Sequence, residues 1–182
     1  GGYEVNSHPA LFVDAFAAAR AAGLRVVAHA GETTGPQTIW DTIHLLHAER
    51  IGHGVRAIED PALVAYLAEQ QIPLELCPTS NVCIGVVPAA CDHPFRRLDD
   101  AGVLVTVNSD DPPLFGTTLT DEYRLLAREF AYTAADLERI TLNAVRASFL
   151  PDDEKTRLAV EISAECAELR EQLGTTSGQW NA

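Results

Sequence analysis

Leu24-Arg25-Val26-Val27-Ala28 is a short, mostly apolar run that leads directly into the polar cluster His29-Ala30-Gly31-Glu32. The same order of an apolar run followed by a polar cluster returns at residues 50–54, 72–81 and 103–112. Segments long enough for helices separate these runs. Short β-branched runs at such intervals are typical of parallel βα units. The sequence therefore predicts an α/β fold with a parallel sheet.

Helices are predicted between these strands and after them. The first covers residues 10–22 and ends before Gly23, a residue type that commonly closes helices. Thr133 and Asp136 have the spacing of a capping box, which opens another helix. The remaining predicted helices cover residues 36–48, 60–70, 119–131 and 148–173. We expect one domain over residues 1–173 and a flexible tail at residues 174–182.

All of the polar clusters follow predicted strands. In a (β/α)8 barrel of the TIM type, the active site lies at the carboxyl ends of the parallel strands. Such a barrel usually takes about 250 residues, whereas this chain has 182. Four strands are recognisable, together with what reads as the end of a fifth at residues 1–4. We therefore expect the second half of a barrel, without its N-terminal strands, and a longer polypeptide or a second chain that supplies the other half.

Composition and charge argue against two classes of partner. The formal net charge is −13, which does not suit a nucleic-acid partner because phosphate binding needs clustered Lys and Arg. No apolar run approaches the roughly 20 residues of a membrane span, and the first residues lack the features of a signal peptide. The four cysteines have neither disulfide-type nor zinc-finger spacing, so we expect reduced thiols in a cytoplasmic protein.

His29, Glu32 and His53 are candidate catalytic residues. A histidine at a strand end can offer a neutral ring nitrogen to a metal, and a glutamate three residues later can act as a general acid or base. A structural histidine beside a helix-capping glutamate is an equally good interpretation. His53 lies between two glycines, which let the backbone approach a ligand closely and leave the ring exposed to the pocket. The alternative for His53 is a buried core histidine.

Asp110 and Asp111 form a second candidate pair. Two adjacent carboxylates repel each other, so a cation or a proton must stabilise one of them. The alternative is an Asp-Pro turn in which Asp111 caps a loop. We interpret Cys77-Pro78-Thr79-Ser80-Asn81 as a structural strand end with loop hydrogen bonds, because no activating pair lies beside the cysteine. Three further histidines are expected to be structural or solvent-facing: His44, His47 and His93.

Four motifs occur in a fixed order along the chain: HAGE from residue 29, RIGHG from residue 50, CPTSN from residue 77 and SDDP from residue 109. In this order they resemble the second half of the adenosine/adenine deaminase family, in the metal-dependent amidohydrolase superfamily. The resemblance covers essentially the whole chain. It implies hydrolysis of a 6-aminopurine nucleoside, adenosine to inosine plus ammonia, with one Zn²⁺ per active site.

The resemblance also implies catalytic and metal-binding roles. His29 corresponds to the family's third histidine ligand of zinc, and Asp110 corresponds to its carboxylate ligand. Glu32 corresponds to the acid that protonates the purine N1. His53 corresponds to the residue that orients the zinc-bound hydroxide.

Substrate contacts follow from the resemblance in the same way. Asp111 corresponds to the carboxyl that meets N7, and Gly2 to the glycine whose backbone N–H meets N3. Gly52 resembles nucleoside-type members, whereas adenine-specific members tend to carry an acid there. The alternative substrates are a modified adenine nucleoside, such as 6-aminodeoxyfutalosine, and adenine itself.

The sequence departs from the family in its metal ligands. The family takes two zinc ligands from an H-x-H motif on its first strand, and no H-x-H occurs in this sequence. His29 and Asp110 are fewer ligands than the three that a catalytic zinc takes from protein, so we expect the missing half to supply the motif. Two competing hypotheses are a non-catalytic partner or pseudoenzyme that keeps the pocket, and another metal-dependent hydrolase of the superfamily.

Overall fold

Four short parallel strands form the centre of the molecule. The computed structural model describes residues 4–172, and in it β1 is Val27–Ala30, β2 is Arg50–His53, β3 is Leu74–Leu76 and β4 is Val105–Val107. The strands pair in the order β1-β2-β3-β4, and every pair is parallel. The parallel sheet that the sequence predicts is confirmed.

The strand register brings the candidate residues to one end of the sheet. His29 pairs with Gly52, and Ala30 pairs with His53. Because all four strands are parallel, their carboxyl ends and the loops that follow them lie along one edge of the sheet. Asp110 lies on the loop after β4 and therefore belongs to the same edge.

Nine α-helices precede, connect or follow the strands within residues 4–172. Their bounds are α1 Val13–Ala21, α2 Pro36–Leu46, α3 Pro61–Gln70, α4 Pro78–Cys83, α5 Phe95–Asp100, α6 Pro112–Phe115, α7 Leu119–Phe130, α8 Ala134–Ala147 and α9 Asp152–Gln172. Short 3-10 helices cover Glu4–Asn6, Pro9–Phe12, Val55–Glu59 and Ala90–Asp92.

Helix ends are set by local side-chain chemistry. Asp60 precedes α3, and its carboxylate accepts the backbone N–H of Ala62. Thr133 and Asp136 form the predicted capping box at the start of α8, which satisfies N–H groups that have no partner inside the helix. Three helices end on non-glycine residues with left-handed backbone: His47, Gln71 and Ala131.

The apolar core packs the helices onto the sheet. Ile51 of β2 and Leu74 of β3 are completely buried in one cluster with Ile39 of α2 and Leu63 of α3. Full burial of one such side chain stabilises the fold by about 1.5–3 kcal/mol. These contacts fix the positions of the strands, and so of the residues at their carboxyl ends.

Several elements differ from the sequence-based predictions. β1 begins at Val27 and not at Leu24, which is 62% exposed and precedes the paired residues. Segments that read as loops contain the short helices α4 and α6. The helices α4 and α6 start with proline in the first turn, and α5 directly follows one. Proline fixes a helical φ at this position and needs no hydrogen-bond partner there.

The two ends of the described chain also differ from expectation. Glu4 belongs to a 3-10 helix and not to a strand. The last helix begins at Asp152 because Leu150 precedes Pro151, and the residue before a proline is disfavoured in a helix. Leu169 of that helix is 53% exposed.

Some predictions fall outside residues 4–172. The expected tail at residues 174–182 and the candidate substrate residue Gly2 are both beyond the described part of the chain. Among the described residues, no helix has the length and the apolar character needed to cross a bilayer.

Candidate active site

Three candidate residues converge at the carboxyl ends of β1 and β2. The rings of His29 and His53 are 4.9 Å apart between centroids. Nε2 of His53 is 3.4 Å from Oε1 of Glu32. His53 is almost completely buried, Glu32 is partly buried and His29 is exposed. The two imidazoles and the carboxyl group therefore lie together at one edge of the sheet, as the sequence predicts.

Two residues of this edge have strained backbone. His53 has φ of 59° and Asp110 has φ of 55°, in the left-handed region that non-glycine residues seldom adopt. The other described non-glycine residues with positive φ close helices. Backbone strain away from helix ends is common at functional sites. The positive φ of His53 and Asp110 therefore supports a functional role for both residues.

Gly52 and Gly54 leave space for the side chains of neighbouring residues, and they do not expose the His53 ring. A Cβ at Gly52 would lie 3.0 Å from Nδ1 of His29, and a Cβ at Gly54 would lie 2.6 Å from a methyl carbon of Leu74. Gly52 therefore makes room for the His29 ring. The expectation that the two glycines leave His53 exposed to the pocket is wrong, because its ring is 2% exposed.

Glu32 has the protonation properties of a general acid. Burial, followed by the negative charges of Asp110 and Glu4, raises the pKa of its carboxyl from the ordinary 4.5 to about 7. A carboxyl with that pKa carries a proton in a large fraction of molecules at neutral pH. General acids work best when their pKa lies near the operating pH.

The two histidines are neutral near pH 7. Burial lowers the pKa of His53 to about 4, and the neighbouring His29 acts in the same direction. The pKa of His29 is lowered as well, because surrounding protein atoms partly desolvate its ring even though the residue has exposed area, and this outweighs the opposing influence of Asp110 and Glu75. A neutral imidazole has a free ring nitrogen, which is the form that binds a metal.

Asp110 belongs to a group of possible metal ligands. Its ligand oxygen lies within 4.8 Å of ligand atoms of His53 and Cys77. Oδ2 of Asp110 accepts a hydrogen bond of 2.7 Å from the Ser80 hydroxyl, which orients the carboxylate. The Cys77 thiol donates to the Glu75 carbonyl, and burial raises its pKa, so it lacks the thiolate that binds metals. The His53 imidazole and the Asp110 carboxylate remain, and nitrogen and oxygen ligands both suit zinc. His29, the predicted zinc ligand, is not a member of this group.

Asp111 is exposed beside this group, at the residue before α6. Its side chain makes no capping hydrogen bond to that helix, so the alternative in which it caps a loop is not supported. Among the other histidines, His44 and His47 are exposed, as predicted. His93 is buried and hydrogen-bonded, which agrees with the structural alternative of its prediction.

Sequence reasoning missed Glu4. Its carboxylate accepts the backbone N–H groups of Gly31, Glu32, Thr33 and Thr34, which form the loop that carries Glu32. Burial raises the pKa of Glu4, but the hydrogen bonds outweigh burial and lower it overall. No local pattern signals this contact, because it spans 27 to 30 residues.

Sequence reasoning also assigned no special role to Asn81 and His93. Asn81 Nδ2 lies 3.4 Å from Nδ1 of His53, and Asn81 Oδ1 lies 3.1 Å from Nε2 of His93. The CPTSN segment therefore contacts the site twice, through Ser80 to Asp110 and through Asn81 to His53. A serine-asparagine pair directly after a strand is the signal that could have indicated this.

The ends of the parallel strands thus carry neutral imidazoles, a carboxyl with a raised pKa and a carboxylate. Metal-dependent hydrolases use such groups at this position of the fold. The chain belongs to the adenosine deaminase family, whose family model matches residues 1–165. It is 49% identical over 167 residues to the aminodeoxyfutalosine deaminase of Streptomyces avermitilis, a match that covers 92% of this chain and 47% of that relative.

Solved structures agree with this assignment. The adenine deaminase of Arthrobacter aurescens superposes with a TM-score of 0.88 at 36% identity, over 90% of this chain and 50% of that one. An amidohydrolase of Burkholderia ambifaria, solved with bound Zn, superposes with a TM-score of 0.87 at 30% identity. This match covers 95% of this chain and 49% of that one. The chain thus spans about half the length of these relatives, and the expected fold, the second half of a TIM-type barrel, is confirmed.

Proposed function

We propose that this chain provides the catalytic half of a zinc-dependent deaminase that hydrolyses the 6-amino group of an adenine compound. The observation that carries the proposal is the Glu32 carboxyl. Its pKa near 7 and its 3.4 Å distance from the buried His53 support the role of a proton donor. Replacing an amino group on an aromatic ring requires such a donor, because a ring nitrogen must accept a proton as water adds to the carbon.

Aminodeoxyfutalosine is the substrate that we favour. The relative of that name is 49% identical to this chain. The nucleoside-type glycine at position 52 agrees with a substrate that carries a modified ribose. The expectation of adenosine is not supported by these relatives, which are named for aminodeoxyfutalosine and adenine. Adenine is the second candidate, because a relative named adenine deaminase is 46% identical.

His29 and Asp110 are the residues of this chain that would hold zinc. The fit rests on the donor set, since His29 is neutral and the Asp110 carboxylate is oriented by Ser80. Zinc, when bound, lowers the pKa of water to near 7 and so supplies a nucleophile at neutral pH. An H-x-H motif from outside this chain would complete the ligands.

The other site residues act on the purine and on the attacking water. Glu32 would donate a proton to N1 as the ring loses its aromaticity, and the buried His53 would orient the water. Asp111, exposed at the same edge, would meet N7. Gly2 would offer its backbone N–H to N3. Water is consumed, ammonia leaves and a 6-oxopurine remains.

The two outer strands of the sheet support the proposal that another half of the barrel packs against this one. In the described residues β1 has a strand on one side only, and so has β4. Beside β1 lies a groove of about 170 Å³ whose lining includes Phe12 and Phe16 together with His29 and Glu32. Unpaired edges next to apolar surface need cover, and the first strands of a barrel would provide it. These strands would be part of a longer chain or of a second one.

A test uses the full-length protein, purified with zinc and supplied separately with aminodeoxyfutalosine, adenine and adenosine. We expect ammonia release to be fastest with aminodeoxyfutalosine. A faster rate with adenine would select the second candidate. A protein that retains no zinc after this purification and is inactive on all three compounds would favour a non-catalytic partner over an enzyme.

A further inference from the structure

A chain of hydrogen bonds runs from a helix backbone to His53. Phe95 N–H donates to Nδ1 of His93 at 3.1 Å. Nε2 of His93 lies 3.1 Å from Oδ1 of Asn81, and Nδ2 of Asn81 lies 3.4 Å from Nδ1 of His53. His53, Asn81 and His93 are all buried. Each link has a direction, and the first link has only one possible direction.

The backbone fixes the tautomer of His93. A backbone N–H can only donate, so Nδ1 of His93 must be an acceptor without a proton. Burial lowers the pKa of His93 to about 3, which leaves a neutral ring with its single proton on Nε2. His93 therefore donates this proton to Asn81.

The hydrogen bond from His93 fixes the orientation of the Asn81 amide. An amide has a carbonyl oxygen that accepts and an NH₂ group that donates. Because His93 donates to Asn81, the oxygen faces His93 and the NH₂ group faces His53. An NH₂ group only donates, so Nδ1 of His53 must be the acceptor.

We propose that Asn81 and His93 are positioning residues that keep the proton of His53 on Nε2, the nitrogen that faces Glu32. The 3.4 Å distance from Nε2 to Oε1 of Glu32 agrees with a donor at that nitrogen. In this tautomer His53 presents an N–H to the pocket and no free lone pair, so it orients an oxygen and does not remove a proton from it. The consequence for catalysis rests on the proposed function, whereas the tautomer itself does not.

A purely structural role makes a different prediction. If Asn81 and His93 only filled space, any side chain of similar size would preserve the site. Asp has nearly the same shape as Asn but only accepts hydrogen bonds when ionised. Asn81→Asp can still accept from His93, but it must also accept from His53 and so requires a proton on Nδ1. The substitution therefore moves the proton of His53 away from the pocket with little change in volume.

The direct readout is ¹⁵N NMR of the imidazoles in metal-free, full-length protein labelled at histidine. Protonated and unprotonated ring nitrogens resonate in separate regions, which identifies the tautomer without turnover. We expect His53 to carry its proton on Nε2 in the wild type and on Nδ1 in Asn81→Asp. A wild-type His53 protonated on Nδ1, or an unchanged tautomer in Asn81→Asp, would overturn the proposal.

Kinetics give the second readout. Asn81→Asp should lower kcat by about 10²-fold or more, the range for one acid–base group, with KM little changed. His93→Leu, which leaves the Asn81 amide free to turn, should lower kcat and give a mixture of His53 tautomers. His93→Gln offers an N–H to Asn81 and should restore both. Cys83→Ser, at an exposed position of α4, is the control.

The two proposals fail in distinguishable ways. A wild-type protein without deaminase activity would contradict the proposed function and leave the NMR result to decide the tautomer. An active protein in which His93→Leu and His93→Gln lose activity equally, with unchanged His53 resonances, would contradict the positioning role alone.

Discussion

Replacing Glu32 with glutamine should make the metal-free protein more stable at alkaline pH. The pKa of Glu32 is raised from 4.5 to about 7 in the folded protein, first by burial and then by Asp110 and Glu4. A group with a raised pKa contributes its stability below its unfolded value and loses it as pH rises through the folded value. The carboxylate form is therefore the unfavourable one, and glutamine has no such form.

The size of the effect follows from the shift. The pKa of Glu32 rises from 4.5 to about 7 on folding. At about 1.36 kcal/mol per pKa unit, the free energy of unfolding falls by about 3 kcal/mol between the fully protonated and the fully ionised form of Glu32. The Glu32 side chain is only 16% exposed, so solvent screens little of it. Between pH 4.5 and 7 the wild type should lose this stability relative to Glu32→Gln, and the difference should be constant above that range.

Urea unfolding of full-length, metal-free protein at a series of pH values measures the difference. Glu69→Gln, at an exposed position of α3, is the matched control and should give a small effect without this pH dependence. A Glu32→Gln effect that does not change between pH 4.5 and 8 would refute the reasoning, because the pKa would then be the same in the folded and unfolded states.

Four further results are expected from the full-length protein. His29→Ala and Asp110→Ala should each abolish zinc binding, measured by metal analysis, and turnover with it; normal zinc content would reject the ligand assignment. Glu32→Gln should keep its zinc and lose at least about 10²-fold in kcat. Gly52→Ala should weaken zinc binding by about 10-fold or more, as for other groups that support a ligand, because its Cβ would press on His29, whereas Gly35→Ala, with open space, should not. Glu4→Gln should cost about 1–3 kcal/mol in urea unfolding, since one fewer carboxylate oxygen remains for four N–H groups.

The sequence was sufficient for the sheet and for the edge at which the candidate site residues meet. Short apolar runs locate β1 to β4, although β1 and β2 continue through His29 and His53. The parallel order then places His29, Glu32, His53 and Asp110 on one edge without any knowledge of tertiary contacts. Strand-end chemistry of this kind is visible in sequence because it is local.

The supporting contacts were not visible because they are not local. Glu4 binds a loop that begins 27 residues later, and Asn81 contacts His53 across 28 residues. The His29 ring lies 4.9 Å from the His53 ring, between centroids, and Gly52 leaves space for it. Short helices such as α4 also escape periodicity, since six residues give fewer than two turns.

The most direct test of the account is a single experiment on the full-length protein with aminodeoxyfutalosine. Zinc content and released ammonia are measured in the same sample, for the wild type and for Glu32→Gln. We predict about one zinc per active site in both proteins, one ammonia per 6-oxopurine formed by the wild type, and at least about 10²-fold slower release by Glu32→Gln. Equal rates of ammonia release from the two proteins would contradict the assignment of Glu32 as the proton donor.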